Sequence, residues 1–160
     1  MKLEDHLVQS TFLDEGQKLH MHLLVVARQL DLMLRRILKP HGITPPQYNV
    51  LRILRGQKGM PIAVQSLAAR MIDPSSNTSR IIDKLVDKGW ADRQVCPEDR
   101  RRADVSITPT GTDILTKLDI PIQTLLAHSL EGITDSTRVQ MNAALAQVLN
   151  NTDDILSSQS

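Results

Sequence analysis

The sequence of 160 residues contains few aromatic residues. It has one Phe, one Tyr and one Trp, so Leu, Ile, Val, Met and Ala have to fill the interior. Such a composition suits helices better than a large β-sheet, which favours aromatic and β-branched residues. The shortage of aromatic residues therefore predicts a mainly α-helical protein.

Cysteine is almost absent too, since Cys96 is the only one. A single cysteine excludes an intrachain disulfide. Its thiol has two interpretations. It is an incidental group in a surface strand, or it is a redox sensor, because Arg93 and Arg100 would favour the thiolate form.

Long apolar runs and the familiar catalytic motifs are also missing. No run approaches the roughly 20 residues that span a bilayer, and the N-terminus lacks the layout of a signal peptide. There is no Walker loop and no G-x-G-x-x-G, G-x-S-x-G or H-E-x-x-H motif. The histidines are dispersed, and His20 and His22 would point about 200° apart on a helix, which makes them poor ligands for one metal. We therefore expect a cytoplasmic protein that is not an enzyme, uses no cofactor or metal, and has no membrane partner.

Basic residues are concentrated in the middle of the chain. Residues 52–102 contain eleven Lys and Arg against six Asp and Glu, a net charge of +5, although the whole chain carries only +1. The remaining residues therefore sum to −4. A basic segment between acidic ends is typical of a nucleic-acid-binding module within a larger scaffold.

The region from about Thr11 to Lys39 predicts one long helix that ends at Pro40 and Gly42. It carries an apolar seam with alternating spacings of four and three residues, as in a coiled coil. The seam consists of Leu19, Leu23, Val26, Leu30, Met33 and Ile37, and a second strip consists of Leu24, Leu34 and Leu38. Two apolar strips on one helix predict that it contacts both its own domain and a second copy of the chain.

The middle of the chain predicts helices followed by a β-hairpin. Thr44 and Gln47 form a capping-box pattern around Pro45, which starts a helix that ends at Gly56. The apolar spacing then predicts a helix over about Ala63 to Met71 and, after a polar turn, another that ends at Lys88-Gly89. Strict alternation over 91–95 and 103–107 predicts two strands.

The C-terminal third predicts two more helices. One begins at Thr108-Pro109 and is kinked or briefly broken at Pro121, and its inward positions are Ile114, Leu115, Leu118, Ile122, Leu125, Leu126 and Leu130. The other begins near Thr134, with Met141, Leu145, Val148 and Ile155 on its apolar face. The whole pattern predicts a mainly α fold with a small β-wing over a single domain, 1–160. Its parts are a winged helix-turn-helix over 44–110 and dimerisation helices over 11–39 and 112–156.

Two polar segments are the candidate DNA-binding elements. In a helix-turn-helix the N-terminal residues of the second helix reach base edges, and here they are short polar residues followed by a cation. Consecutive arginines at a tight hairpin tip repel one another and gain from a polyanion, and a narrow minor groove attracts Arg in particular. Asp99 can pair with Arg101 and orient it. The candidate DNA-binding residues are Ser75, Ser76, Asn77, Thr78, Ser79, Arg80, Lys84, Asp99, Arg100, Arg101 and Arg102.

Several segments resemble the MarR family of transcription regulators. The stretch DPSSNTSRIIDKLVDKGWADR is similar to the family's recognition-helix segment, in which a T-R pair precedes L-x-x-K-G and an Arg opens the wing. PEDRRRADVSITPTG is similar to its wing and exit motif, D-x-R followed by a strand and L/I-T-x-x-G. GITPPQYNVLRIL and VQSLAARM resemble the two preceding helices, so the resemblance extends over roughly residues 15–150.

The resemblance implies a homodimer, joined by the first and last helices, that binds double-stranded DNA at a palindromic operator and associates with the nucleoid when bound. The family's recognition residues fall on 76–80, and its wing Asp and Arg fall on Asp99 and Arg101. It also implies a pocket for a small aromatic or lipophilic effector beside the DNA-binding lobe, where His20, His41 and Tyr48 are candidate polar groups. The plain alternative, favoured for each residue taken separately, is that Tyr48 packs in the core and the two histidines are solvated.

Two alternatives to an effector-released repressor remain. One is a redox-responsive regulator that acts through Cys96, although the family's peroxide-sensing branch has its reactive cysteine near the N-terminus, where this chain has none. The other is a helical dimerisation adaptor that does not bind DNA.

Overall fold

The computed structural model describes residues 3–7, 11–73, 77–95 and 103–158, and it confirms a mainly helical fold with a small sheet. In chain order the elements are α1 (Leu3–Leu7), α2 (Glu15–Leu38), a 3₁₀ turn (Lys39–His41), α3 (Pro45–Gly56), β1 (Ile62–Ala63), α4 (Val64–Ala68), α5 (Thr78–Asp87), β2 (Ala91–Val95), β3 (Ala103–Ile107), α6 (Pro109–Ser129) and α7 (Asp135–Ser158).

The long helix α2 begins four residues later than the predicted start at Thr11. Asp14 is its N-cap, and the Asp14 carboxylate accepts a hydrogen bond of 2.7 Å from the backbone N–H of Gln17. Asp is a preferred N-cap because its side chain satisfies an N–H that has no partner within the helix. At the other end, the 3₁₀ turn and Gly42, with a φ of 65°, reverse the chain. Gly42 therefore has the left-handed conformation that favours glycine.

The predicted start of α3 is confirmed. Thr44 Oγ1 accepts from the N–H of Gln47, and the Gln47 side chain accepts from the N–H of Thr44 at 3.1 Å, which completes a capping box. The inward face of this helix is buried, as its spacing predicts. Its buried apolar residues are Tyr48, Val50, Leu51 and Leu54.

The sheet has three strands where the sequence predicted two. The short strand β1 pairs antiparallel with β3, with Ile62 opposite Val105, and β3 pairs antiparallel with β2. The strand β1 was not predicted, because two residues are too few to show alternation. The two strands predicted from alternation are confirmed.

Two helix predictions need correction. α4 ends at Ala68 rather than Met71, because the N–H groups of Arg70 and Met71 bond to carbonyls three residues earlier, and the chain forms turns there. α6 continues from Pro109 to Ser129 without a break at Pro121. Pro121 lacks an N–H, but it is exposed, so water can reach the backbone where the helical hydrogen bond is missing.

The chain divides into two compact units, and the division falls within α6, after Gln123. The first unit holds the sheet and a continuous apolar core to which α2, α3, α4, α5, β3 and the first half of α6 contribute. Its largest fully buried side chains are Leu38, Leu51, Leu54, Leu67, Ile82, Leu85, Leu115, Leu118, Val50 and Val105. The sequence predicted inward positions on α6 as far as Leu130, but the buried ones end at Ile122.

The second unit contains the last turns of α6 and the whole of α7. Arg138 fixes the connection between them, since its guanidinium donates to the carbonyl of Leu130 and pairs with Asp135 at 3.1 Å. No residue of α7 is buried, and its large apolar side chains lie at the surface of the single chain.

Candidate nucleic-acid interface

The start of α5 is fixed by a side-chain cap. Asn77 Oδ1 accepts a hydrogen bond of 3.1 Å from the N–H of Arg80, so Asn77 is the N-cap of the helix. A cap of this kind contributes about 1 kcal/mol to stability. Pairing with adenine, the usual base contact of an Asn side chain in the major groove, would use the same amide oxygen of Asn77. Its established contact is therefore the cap.

Thr78 differs from its prediction as a DNA contact. Its side chain is only 7% exposed, and Thr78 Oγ1 donates to the thioether sulfur of Met71 at 3.3 Å. This contact joins the end of the preceding turn to the first residue of α5. A short polar residue at a helix start suits a cap, a DNA contact or a buried hydrogen bond, and only the fold distinguishes these roles.

The exposed face of α5 carries the other predicted contacts in this helix. Ser79, Arg80 and Lys84 are all exposed. Arg80 and Lys84 are four residues apart, so they lie on one side of the helix, one turn from each other. This face has the chemistry for phosphate and base contacts, with the Ser79 hydroxyl and the Arg80 cation in the first turn and the Lys84 cation in the last turn.

An ion pair joins α5 to the strand that follows it. Arg93 Nη1 on β2 lies 2.7 Å from Asp83 Oδ1 on α5. Both groups are partly exposed, so the pair contributes at most about 1 kcal/mol. The pair links the exposed side of α5 to β2. The sequence does not indicate this pair, since a separation of ten residues follows no helix or strand period that would bring the two side chains together.

The wing strands are described, whereas the wing tip is not. Val95 and Ala103 are partners in the β2–β3 ladder, so the seven residues between them connect two paired ends. The predicted contacts Asp99, Arg100, Arg101 and Arg102 lie outside the described residues, together with Cys96. Ser75 and Ser76, which precede α5, also lie outside them.

The three candidate effector residues lie in different surroundings. Tyr48 is buried in the core on α3, with the Arg52 guanidinium 5.8 Å from its ring centroid. His41 is half-buried in the 3₁₀ turn, and His20 is exposed on α2. At 1.5 Å per residue, His20 is roughly 27 Å along the helix from Leu38. Within a single subunit, His20 therefore lies far from the end of α2, which the 3₁₀ turn with His41 and then α3 with Tyr48 follow.

The part of the chain that the structure describes comprises residues 3–7, 11–73, 77–95 and 103–158. In these ranges no group of three His, Cys, Asp or Glu side chains is placed to hold a metal ion. No helix in the same ranges is long and apolar enough to cross a membrane.

Comparison with known proteins gives matches with transcription regulators. Residues 43–103 match the model of the MarR family. The chain is 31% identical over 106 residues to an uncharacterized HTH-type transcriptional regulator of Bacillus subtilis, YkoM, in a match that covers 64% of this chain and 66% of that protein. It is 24% identical to the transcriptional repressor MprA of Escherichia coli, over 74% of this chain and 67% of the repressor. The match with YkoM thus spans just under two thirds of that regulator's length.

Solved structures show the same similarity over more of the chain. A mutant of Escherichia coli MarR, solved in complex with operator DNA, has a TM-score of 0.75 and 27% identity. The match covers 88% of this chain and 99% of that one. The winged-helix fold predicted from the sequence is therefore confirmed.

Proposed function

We propose that the chain is a regulator of the MarR family, namely a homodimeric, sequence-specific DNA-binding transcription regulator and a repressor that a small-molecule effector releases. The observation that carries this proposal is the exposed face of α5, with Ser79, Arg80 and Lys84, joined to the wing strand by the Asp83–Arg93 pair. The similarity to a MarR protein bound to operator DNA supports it.

The dimer part of the proposal rests on apolar residues that the single chain leaves at its surface. On α2 they include Leu19, Leu24, Val26, Leu30 and Met33, which are 36% to 54% exposed. On α7 they include Met141, Leu145, Val148 and Ile155. Several large apolar side chains exposed along one helix are typical of an interaction site. A second copy is the occupant we propose, because the spacing on α2 is that of a helix–helix seam.

A gel shift with random genomic DNA fragments at two salt concentrations tests DNA binding itself. We expect a shift that weakens steeply as salt rises, because each phosphate contact releases counterions. The adaptor alternative, a dimerisation protein that does not bind DNA, requires instead that no shift occurs at either salt concentration.

Alanine substitutions should separate base contacts from phosphate contacts. Arg80→Ala is expected to cost roughly 1–3 kcal/mol, mainly on the specific site, because Arg in the recognition helix contacts base edges. Arg101→Ala is expected to weaken binding to all sequences and to reduce the salt dependence. Titration of both variants with specific and random duplexes measures the difference. Equal losses on the two duplexes for both variants would contradict this division of roles.

The effector part of the proposal places a small aromatic or lipophilic compound beside His41 and Tyr48, where α2 meets the DNA-binding lobe. A ligand that favours a wrongly spaced pair of recognition helices must weaken DNA affinity by the same coupling factor. Thermal-shift measurements with phenolic acids, followed by DNA titration with each hit, test this. Hits that stabilise the protein without changing DNA affinity would contradict it, and a response to oxidant that Cys96→Ser abolishes would favour the redox alternative.

A further inference from the structure

The C-terminal end of α5 is hydrogen-bonded to the corner between α2 and α3, residues 39–44. Lys88 is the C-cap residue of α5, and its Nζ donates to the carbonyl oxygen of Gly42. The same ammonium group lies 4.7 Å from the centroid of the Trp90 ring, within the range of a cation–π contact. One side chain thus connects the proposed recognition helix to residues 46 positions earlier in the chain.

The corner to which Lys88 is bonded is itself well fixed. Gly42 N–H donates to the carbonyl of Lys39 at 3.0 Å, and Ile43 N–H donates to that of Leu38 at 3.4 Å. Leu38 and Ile43 are both buried in the core. Any displacement of the C-terminal end of α2 therefore moves the carbonyl group that holds Lys88.

Gly89 and Trp90, the two residues that follow Lys88, are hydrogen-bonded to the start of α6. The carbonyl oxygen of Gly89 accepts hydrogen bonds from Thr108 Oγ1 at 2.7 Å and from Thr110 Oγ1 at 2.5 Å. The carbonyl of Trp90 accepts from the N–H of Thr108 at 3.2 Å. Residues 88–90 are thus held between the corner and α6, the two places where the long helices reach the DNA-binding lobe.

We propose that Lys88 is a positioning residue, which ties α5 to the corner after α2 so that a displacement of this corner tilts the helix that reads DNA. The inference rests on the proposed function. α5 is ten residues long, so its DNA-facing start lies roughly 15 Å from the end that Lys88 holds. A small rotation at the held end moves Ser79 and Arg80 relative to the bases. Lys88 regulates the DNA contact without making it.

The test compares Lys88→Met with Lys84→Met, a matched change one turn earlier on the same helix. Methionine keeps the length of the side chain but removes the charge and the donors. Fluorescence of the free protein is measured first, because Trp90 is the only tryptophan and reports on the contact directly. We expect acrylamide to quench Trp90 more strongly in Lys88→Met than in the wild type or in Lys84→Met.

DNA titration then uses the duplex that the wild-type protein selects from a random-sequence library, and a scrambled duplex. Lys88→Met should bind the selected duplex about five- to tenfold more weakly, as expected for one lost hydrogen bond and cation–π contact. Its affinity for the scrambled duplex and the slope of log K against log salt should stay unchanged. Lys84→Met should instead lower that slope by about one, because it removes a phosphate contact. Lys88→Arg, which keeps a cation and donors, should restore most of the affinity.

Two results would overturn the proposal. A lower salt slope in Lys88→Met would show that Lys88 contacts phosphate directly, and unchanged Trp90 quenching would show that the contact with Gly42 and Trp90 does not form in solution. If the wild-type protein binds no DNA, the proposed function fails, but the quenching measurement still decides whether Lys88 holds the end of α5.

Discussion

Gly111→Ala is expected to lower the free energy of unfolding by about 3 kcal/mol or more, the upper end of the range for overpacking. Gly111 is buried in the first turn of α6, and a Cβ atom there would lie 2.1 Å from the carbonyl oxygen of Trp90 and 2.9 Å from Ile107 Cγ1. The carbonyl is backbone and accepts from Thr108 N–H, so it cannot move aside without breaking the connection between the wing and α6. Gly111 is the glycine of the T-x-x-G pattern that the sequence shares with the family.

Urea unfolding at a fixed protein concentration measures this effect, and Gly56→Ala is the matched control. Gly56 is the last residue of α3, and a Cβ atom there meets nothing within 4 Å. Because alanine favours helix over glycine by up to about 1 kcal/mol, the control should be neutral or slightly stabilised. Equal midpoints for the two variants would show that α6 does not pack against Trp90 as described.

Leu30→Asp is expected to separate the proposed dimer into monomers. It should also weaken binding to a DNA site with two half-sites by at least about a hundredfold. Leu30 lies in the α2 seam and is 36% exposed in the single chain, so a second copy would bury it. A carboxylate buried there without a partner is strongly unfavourable. Loss of the second subunit removes the avidity of two linked contacts, which is worth a factor of about 10² to 10⁴.

Light scattering combined with DNA titration measures this prediction. The monomer mass is 17.9 kDa, and we expect the wild type at twice this value and the variant near it. Leu32→Asp is the control, since Leu32 is 44% exposed on the same helix but points roughly 200° away from Leu30. A Leu30→Asp protein that remains dimeric with unchanged affinity would contradict the proposed seam.

Structural features that depend only on neighbouring residues could be predicted from the sequence. The capping box of Thr44 and Gln47 and the alternation in β2 and β3 each depend on neighbours within a few residues, and the structure confirms them. β1 was missed because two residues acquire strand geometry only by pairing with β3. The early end of α4 was missed because apolar spacing continues to Met71, whose side chain is buried although the helix has ended.

The candidate site was less predictable than the fold. Polar residues at the start of α5 were assigned to DNA as a group, but burial separates Thr78 from the exposed Ser79 and Arg80. The pairs Asp83–Arg93 and Lys88–Gly42 depend on the packing of α5 against β2 and against the corner after α2. Contacts between distant segments follow no local pattern, so the residues that position the site emerge only from the structure.

Selection of binding sites from a random-sequence duplex library by the purified protein tests the central claim most directly, namely that two copies of this chain read DNA together. A two-fold symmetric dimer is mirrored in its site. We predict enrichment of an inverted repeat with half-site centres about 10–10.5 base pairs apart, one helical turn. Enrichment of a single asymmetric half-site, or no enrichment at all, would contradict the account.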